Sequence, residues 1–70
     1  MGKFSARALR RIIRETGARA SRKAARELAL SVEDIAREIA ERSRDLAEHA
    51  GRRTVKDTDV RLAVKEWRLH

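Results

Sequence analysis

The sequence predicts an all-α protein made of a short, a long and a second short helix. Apolar residues recur with a helical period along nearly the whole chain, and they are mostly Ala, Leu, Ile and Val. Glycine interrupts this pattern at two interior positions, Gly17 and Gly51, each just past an apolar-periodic stretch. A glycine there is typical of the residue that follows a helix. The predicted helices therefore cover about residues 5–16, 22–50 and 57–68.

The composition limits the chain of 70 residues to one small domain, residues 1–70, and excludes several function classes. The absence of cysteine excludes a disulfide framework, a thiolate metal site and a cysteine nucleophile. No segment reaches the roughly 18 apolar residues of a membrane span, and none near the N-terminus resembles a secretory signal. We therefore expect no cofactor, no metal and no membrane partner, and we expect a cytoplasmic location.

The charge of the chain is basic and unevenly distributed. There are 18 Lys and Arg residues against 11 Asp and Glu, and 14 of the basic residues are arginines. Residues 1–26 hold nine basic groups and one acid, whereas residues 27–50 hold three basic groups and seven acids. Residues 51–70 are basic again, with six basic groups and three acids. Two basic ends around an acidic middle predict a basic surface built from two separate segments.

The first predicted helix begins after Ser5, a plausible N-cap, and has two opposed faces. One face is mostly apolar and consists of Leu9, Ile12, Ile13 and Thr16. The other is entirely basic and consists of Arg7, Arg10, Arg11 and Arg14. Like charges one helical turn apart repel, and no acid interrupts the basic face. Binding of an anion is therefore favoured over a merely solvated face.

The second predicted helix carries one apolar stripe from Ala25 to Ala50, with Ser21 as its N-cap. Only Leu30 points away from this stripe. A helix of 29 residues is about 43 Å long, whereas a compact chain of this size is about 28 Å across. Two short helices do not cover such a stripe, so we predict a homodimer in which two long helices cross. Its predicted core consists of Leu28, Val32, Ile35 and Ile39.

An antiparallel coiled-coil hairpin is the alternative architecture, although Arg42 breaks its heptad spacing. The third predicted helix has Asp57 and Asp59 in its first turn, where acids favour the helix dipole. Leu62 faces outward from its core stripe. That predicted stripe consists of Val60, Ala63, Val64 and Trp67.

Two segments resemble the archaeal-type histones. The first is Arg11-Ile12-Ile13-Arg14 followed by Gly17, and the second is His49-Ala50-Gly51-Arg52-Arg53-Thr54-Val55-Lys56 followed by Asp59-Val60 and Leu62-Ala63-Val64. The resemblance extends over about residues 6–67. It implies the histone fold, a handshake homodimer, and packaging of DNA.

The resemblance also implies DNA contacts in the first helix and the first loop. Arg11 matches the arginine that enters the minor groove, and Arg14 matches a basic position on the phosphate side. Arg19 resembles the arginine of the first loop, which is one residue shorter here than is usual in the family. Arg10, on the basic face, completes the DNA-binding residues expected in this part of the chain.

The second loop is expected to contact the phosphate backbone as well. Arg53 and Thr54 match the basic residue and threonine that touch phosphates in the family, and Lys56 extends this set. Arg52 and Asp59 match an intramolecular ion pair of the family. Arg52 is therefore expected to stabilise the fold rather than to bind DNA.

A patch that joins one dimer to the next is the last element implied by the resemblance. It consists of Leu46, His49, Asp59 and Leu62. We hypothesise that His49 of one dimer pairs with Asp59 of the next, which makes assembly pH-sensitive. A solvated His49 at a helix C-terminus is the competing interpretation. Whether dimers form tetramers or polymers on DNA is left open.

The predicted function is sequence-nonspecific binding, bending or wrapping and compaction of double-stranded DNA in the nucleoid. Contacts to the phosphate backbone and the minor groove would carry it. The alternative is a histone-fold interaction module that acts as a heterodimer subunit in transcription or chromatin regulation. A third hypothesis is that the first helix is a basic amphipathic helix that binds a membrane surface. We expect no enzyme activity, since His49 and His70 are the only histidines and the carboxylates alternate with arginines at helical spacing.

Overall fold

The computed structural model describes residues 5–69, and these form three α-helices and no strand. The predicted all-α, short–long–short fold is confirmed. Each helix boundary lies within one residue of its prediction, and His70 lies outside the described residues. The helices are α1 (Ala6–Glu15), α2 (Arg22–His49) and α3 (Asp57–Arg68).

Side-chain caps begin the first two helices as their sequences predict. The Oγ of Ser5 accepts a hydrogen bond from the backbone N–H of Ala8 at 3.4 Å. The Oγ of Ser21 accepts one from the N–H of Ala24 at 3.0 Å. Each hydroxyl thus satisfies an N–H group that has no partner within its own helix.

The end of α2 requires a glycine. Gly51 has a φ of +75°, a conformation that L side chains rarely adopt. Its N–H donates to the carbonyl of Glu48 at 2.9 Å, and the N–H of Arg52 reaches back to the carbonyl of Ala47 at 2.8 Å. These two bonds form a Schellman motif, which ends the helix and directs the chain into the next loop.

The chain divides into two compact units, and the first is Met1–Ile35. Among its described residues, the buried apolar side chains are small apart from one leucine. They are Leu9, Ala20, Ala25 and Ala29. The larger side chains of the α2 stripe in this unit are only half-buried. They are Leu28, Val32 and Ile35.

The second unit is Ala36–His70. Its described core contains Ala47 and Ala63 together with Ser43, whose Oγ donates to the carbonyl of Ile39 at 2.7 Å. Ile39 and Leu46, the large members of the α2 stripe here, are half-buried. That residues 1–70 act as a single domain stays a prediction.

In the single chain, only part of the core stripe predicted for α3 is buried, and its burial in a dimer stays a prediction. Of its four residues only Ala63 is buried, while Val60 and Trp67 remain 39% and 41% exposed. Val60 and Val64 line an open apolar groove of about 430 Å³ with α2 residues such as Ile39 and Ser43. Because nothing among residues 5–69 fills this groove, the large side chains along it keep their contact with solvent.

Candidate nucleic-acid interface

The loop between α2 and α3, residues 50–56, is organised by Arg52. Its NH1 donates to Oδ2 of Asp59 at 2.8 Å, and its NH2 donates to Oδ1 of the same carboxylate at 2.9 Å. NH1 also donates to the backbone carbonyl of Thr54 at 3.0 Å. One guanidinium group therefore connects the middle of the loop to the first turn of α3.

Asp59 completes this arrangement from the helix side. Its Oδ2 accepts a hydrogen bond from the backbone N–H of Lys56, the N-cap residue of α3, at 2.8 Å. The hydrogen bonds from Arg52 and Lys56 lower the pKa of Asp59 from 3.8 to about 2, against the opposing effect of burial. The same pairing raises the pKa of Arg52. Both side chains are therefore ionised over the whole physiological pH range.

The remaining polar residues of this loop lie on the outside. Arg53, Thr54 and Lys56 are all exposed, and none of them forms an ion pair within the part of the chain that the structure describes. The cations of the loop thus differ in their partners. Arg52 pairs with Asp59, whereas Arg53 and Lys56 are exposed to solvent.

The arginines of α1 and the first loop show a similar division. The Nε of Arg10 donates to the carbonyl of Ala20 at 3.1 Å, which ties α1 to the residue before the N-cap of α2. Arg11, Arg14 and Arg19 are exposed, and across residues 5–69 they have no carboxylate partner. Arg10 therefore also has a structural contact, which sequence spacing alone did not indicate.

Several other arginines are neutralised by neighbouring acids. Arg42 forms a two-point ion pair with Glu66 through Nε and NH2, at 2.6 and 3.2 Å. Other pairs join Arg44 to Asp45 and Arg61 to Asp57. These three arginines are thus paired with acids, while Arg11, Arg14, Arg19 and Arg53 have no carboxylate partner among residues 5–69.

The residues predicted to join dimers differ in accessibility. His49 and Leu62 are exposed and Leu46 is half-buried, whereas the side chain of Asp59 is only 7% exposed. Both carboxylate oxygens of Asp59 already accept hydrogen bonds within its own unit. A bond from His49 of another dimer would have to use a remaining lone pair of that carboxylate.

The predicted sites are distributed over both units. The arginines predicted in α1 and the first loop belong to the first unit, and the second-loop residues belong to the second. Within the described residues there is no cluster of three or more His, Asp or Glu side chains able to hold a metal ion. None of the described helices is both long and apolar enough to cross a membrane.

A basic cleft within the first unit was not singled out from the sequence. It lies between α1 and the start of α2, and its charged lining is Arg7, Arg10, Arg22 and Arg26. The signal that could have revealed it is the first turn of α2, which contains Arg22 and Lys23 and no acid. That composition is unusual, since acids are favoured at the start of a helix.

Comparison with known proteins identifies similar chains. A family profile described as histone-like transcription factor (CBF/NF-Y) and archaeal histone matches residues 3–64. The chain is 52% identical over 56 residues to a protein of Thermococcus zilligii that is named as one of the subunits of archaeal histone HAN1. It is 48% identical over 56 residues to probable archaeal histone 3 of Methanocaldococcus jannaschii. Each alignment covers 79% of this chain and 84% of the relative.

Proposed function

Because the chain belongs to the family of histone-like transcription factors and archaeal histones, we propose that it packages double-stranded DNA. The family supports the general role, which is DNA binding through a histone fold in chromatin. The specific proposal is that a homodimer binds duplexes without sequence preference and bends or wraps them. The protein would then reside on chromosomal DNA, and no enzymatic activity is expected of it.

The observation that carries this proposal is the set of exposed arginines without acid partners. Arg11, Arg14, Arg19 and Arg53 are all exposed and unpaired among the described residues, although the chain contains 11 acids. An arginine presents a planar fork of donors that matches the oxygens of a phosphate. A surface that leaves these groups free suits a polyanion better than it suits solvent.

The half-buried apolar side chains support the dimer. In both units α2 buries small residues such as Ala25 and Ala47, and it leaves the larger Leu28, Val32 and Ile39 partly in water. Burying apolar surface contributes roughly 25 cal/mol per Å², so the large side chains have the most to gain from a partner. A second copy of the chain, with α2 crossing α2, would cover them.

DNA would bind chiefly through its backbone. Arg53 and Thr54 would contact phosphates from the second loop, and Arg19 from the first, while Arg11 would enter the minor groove. Such contacts read the shape and charge of the duplex rather than its bases, as in other histone complexes. Sequence would then affect binding only through the energy needed to bend each duplex.

Nuclease digestion of the protein on two unrelated long duplexes tests the proposal. Regular ladders of protected fragments on both duplexes are expected if dimers wrap DNA without sequence preference and stack along it. A single short protected fragment would support DNA binding but would contradict stacking of dimers along the duplex. Absence of protection at low salt would contradict the packaging function itself, because the electrostatic contribution is strongest there.

Stacking is proposed to use Leu46, His49 and Leu62, of which His49 and Leu62 are exposed. Asp59 would contribute only through a lone pair that its internal hydrogen bonds leave free. His49→Ala is expected to shorten the ladder while leaving the smallest protected fragment unchanged. An unchanged size distribution on DNA would contradict a role for His49.

A second candidate function is a regulatory subunit that pairs with a different histone-fold chain. The family includes histone-like transcription factors, and the name of the Thermococcus relative describes it as a subunit. The exposed Leu30, which points away from the α2 stripe, would suit such a partner surface. The purified chain discriminates between the two functions, since a chain that dimerises and compacts DNA alone is not an obligate heteromer.

A further inference from the structure

A compact basic cleft lies between α1 and the start of α2, within the first unit. Its volume is about 250 Å³, and every residue that lines it is an alanine or an arginine. Four arginines and two alanines thus form its lining. The lining consists of Ala6, Arg7, Arg10, Arg22, Ala25 and Arg26.

No acid balances the charge of this cleft. Among the described residues, Arg7, Arg22 and Arg26 form no ion pair, in contrast to Arg42 and Arg61. Arg10 is held in place by the hydrogen bond from its Nε to the carbonyl of Ala20. The cleft therefore combines one fixed cation with three that have no other partner.

This arrangement is unfavourable for the chain alone. Arg22 and Lys23 occupy the first turn of α2, where the helix dipole repels cations. Arg22 and Arg26 are also one turn apart on the same helix, so they repel each other. A bound anion would remove both sources of repulsion, which solvent does only in part.

We propose that the cleft is a binding site for a phosphate anion of high charge, of the condensed di- or triphosphate class. A single phosphodiester carries one charge, which is few for the four arginines that line a space of this size. Adjacent phosphates of a condensed chain supply several charges and many acceptor oxygens for planar guanidinium groups. Arg7, Arg22 and Arg26 lie outside the residues proposed to contact DNA, so the inference goes beyond the proposed function.

Two sources can provide closely spaced phosphates: a free condensed phosphate and the DNA backbone. Calorimetric titration of the full chain with inorganic tripolyphosphate measures the first, and titration with a short duplex measures the second. The site variant is Arg22→Gln with Arg26→Gln. The control variant, Arg14→Gln with Arg19→Gln, removes the same charge from the surface proposed to contact DNA.

The expected result is a crossed pattern. The site variant loses tripolyphosphate affinity by about tenfold or more, because two charge-assisted contacts disappear, while the control loses much less. With the duplex, the control variant is expected to lose more affinity than the site variant. The site variant removes repelling charges and keeps helix-forming side chains, so it is expected to fold; circular dichroism checks this.

Three outcomes would overturn the site: native-like tripolyphosphate binding by the site variant, equal losses in both variants, or no tripolyphosphate binding by the native chain. In the last case, a larger loss of duplex affinity in the site variant than in the control would assign the cleft to DNA contact instead. NMR of the native chain gives an independent readout, since tripolyphosphate should shift the Nε–H signals of Arg22 and Arg26. Failure of the packaging function would appear separately, as loss of nuclease protection by the native chain.

Discussion

Arg52 and Asp59 form a two-point ion pair that connects the loop after α2 to the first turn of α3, with N–O distances of 2.8 and 2.9 Å. The same guanidinium binds the carbonyl of Thr54, and the same carboxylate binds the N–H of Lys56. The loop is thereby held at Thr54 and at Lys56 by two side chains. The exposed Arg53 lies between Arg52 and Thr54, so its direction depends on a contact in which it takes no part.

Replacing Asp59 is expected to destabilise the protein and to weaken DNA binding. Asp59→Asn removes the negative charge while keeping the size of the side chain, so the half-buried Arg52 loses its ionic partner. We expect the Tm to fall by about 5 °C or more, with a loss of duplex affinity. The matched control is Asp57→Asn, because within residues 5–69 Asp57 pairs only with the exposed Arg61. Equal losses of Tm in both variants would contradict the role given to the buried pair.

Acid should remove the stabilisation that comes from Asp59. Its pKa is lowered from 3.8 to about 2 in the folded chain, so the folded state favours the ionised form. The stabilisation is complete above the unfolded pKa and is lost as the pH falls from about 4 through about 2. The difference in Tm between the native chain and Asp59→Asn should therefore shrink over this range. A constant difference down to pH 2 would show that the carboxylate charge is not the cause.

The glycine that ends α2 can be tested separately from the ion pair. A Cβ at Gly51 would meet nothing within 4 Å, so Gly51→Ala introduces backbone strain at a φ of +75° without a steric clash. We expect a loss of about 1 kcal/mol in the free energy of unfolding, measured with urea. Gly51→Asn should cost less, because asparagine tolerates this conformation better. An unchanged free energy of unfolding in Gly51→Ala would mean that the positive φ at this position does not require glycine for stability.

Local features of this fold could be predicted from the sequence, and non-local ones could not. Ser5, Ser21 and Gly51 act within a few residues of themselves, so residue type and spacing were sufficient to predict them. The hydrogen bond from Arg10 to Ala20 depends on how α1 packs within its unit. The pair of Arg42 with Glu66 joins residues 24 positions apart. No periodic pattern contains this information.

The prediction of the DNA-contact residues and of the Arg52–Asp59 ion pair depended on a different kind of signal. Helical spacing identified a basic face on α1, but it did not distinguish Arg52 from Arg53 in the second loop. The resemblance to histones suggested that distinction, and the structure supplies a physical basis for it, since one side chain is paired and the other exposed. The apolar stripe of α3 predicts that Val60 and Trp67 are buried, but helical spacing does not indicate which element covers them, and both are exposed in the single chain.

The proposed dimer predicts that a charge within the α2 stripe prevents association. Ile39→Glu would place a carboxylate against the partner helix, where desolvation of an unpaired charge is costly. We expect a monomeric or unfolded chain by light scattering. The control is Leu30→Glu, since Leu30 is 46% exposed and lies away from the stripe; this variant should stay dimeric. A dimer of unchanged stability in Ile39→Glu would exclude this part of α2 from the interface.

The salt dependence of DNA binding should reveal which cations contact phosphates. Each phosphate neutralised by the protein releases counterions, and this contributes about 0.9 to the slope of log K against log salt concentration. Arg53→Gln should therefore lower that slope by about one unit, equally on unrelated duplexes, because it removes one cation from a phosphate. Arg61→Gln removes the same charge from the same unit, but Arg61 is already paired with Asp57, so its slope should change little. Equal changes in the two variants would mean that net charge alone, and not contact by Arg53, determines the affinity.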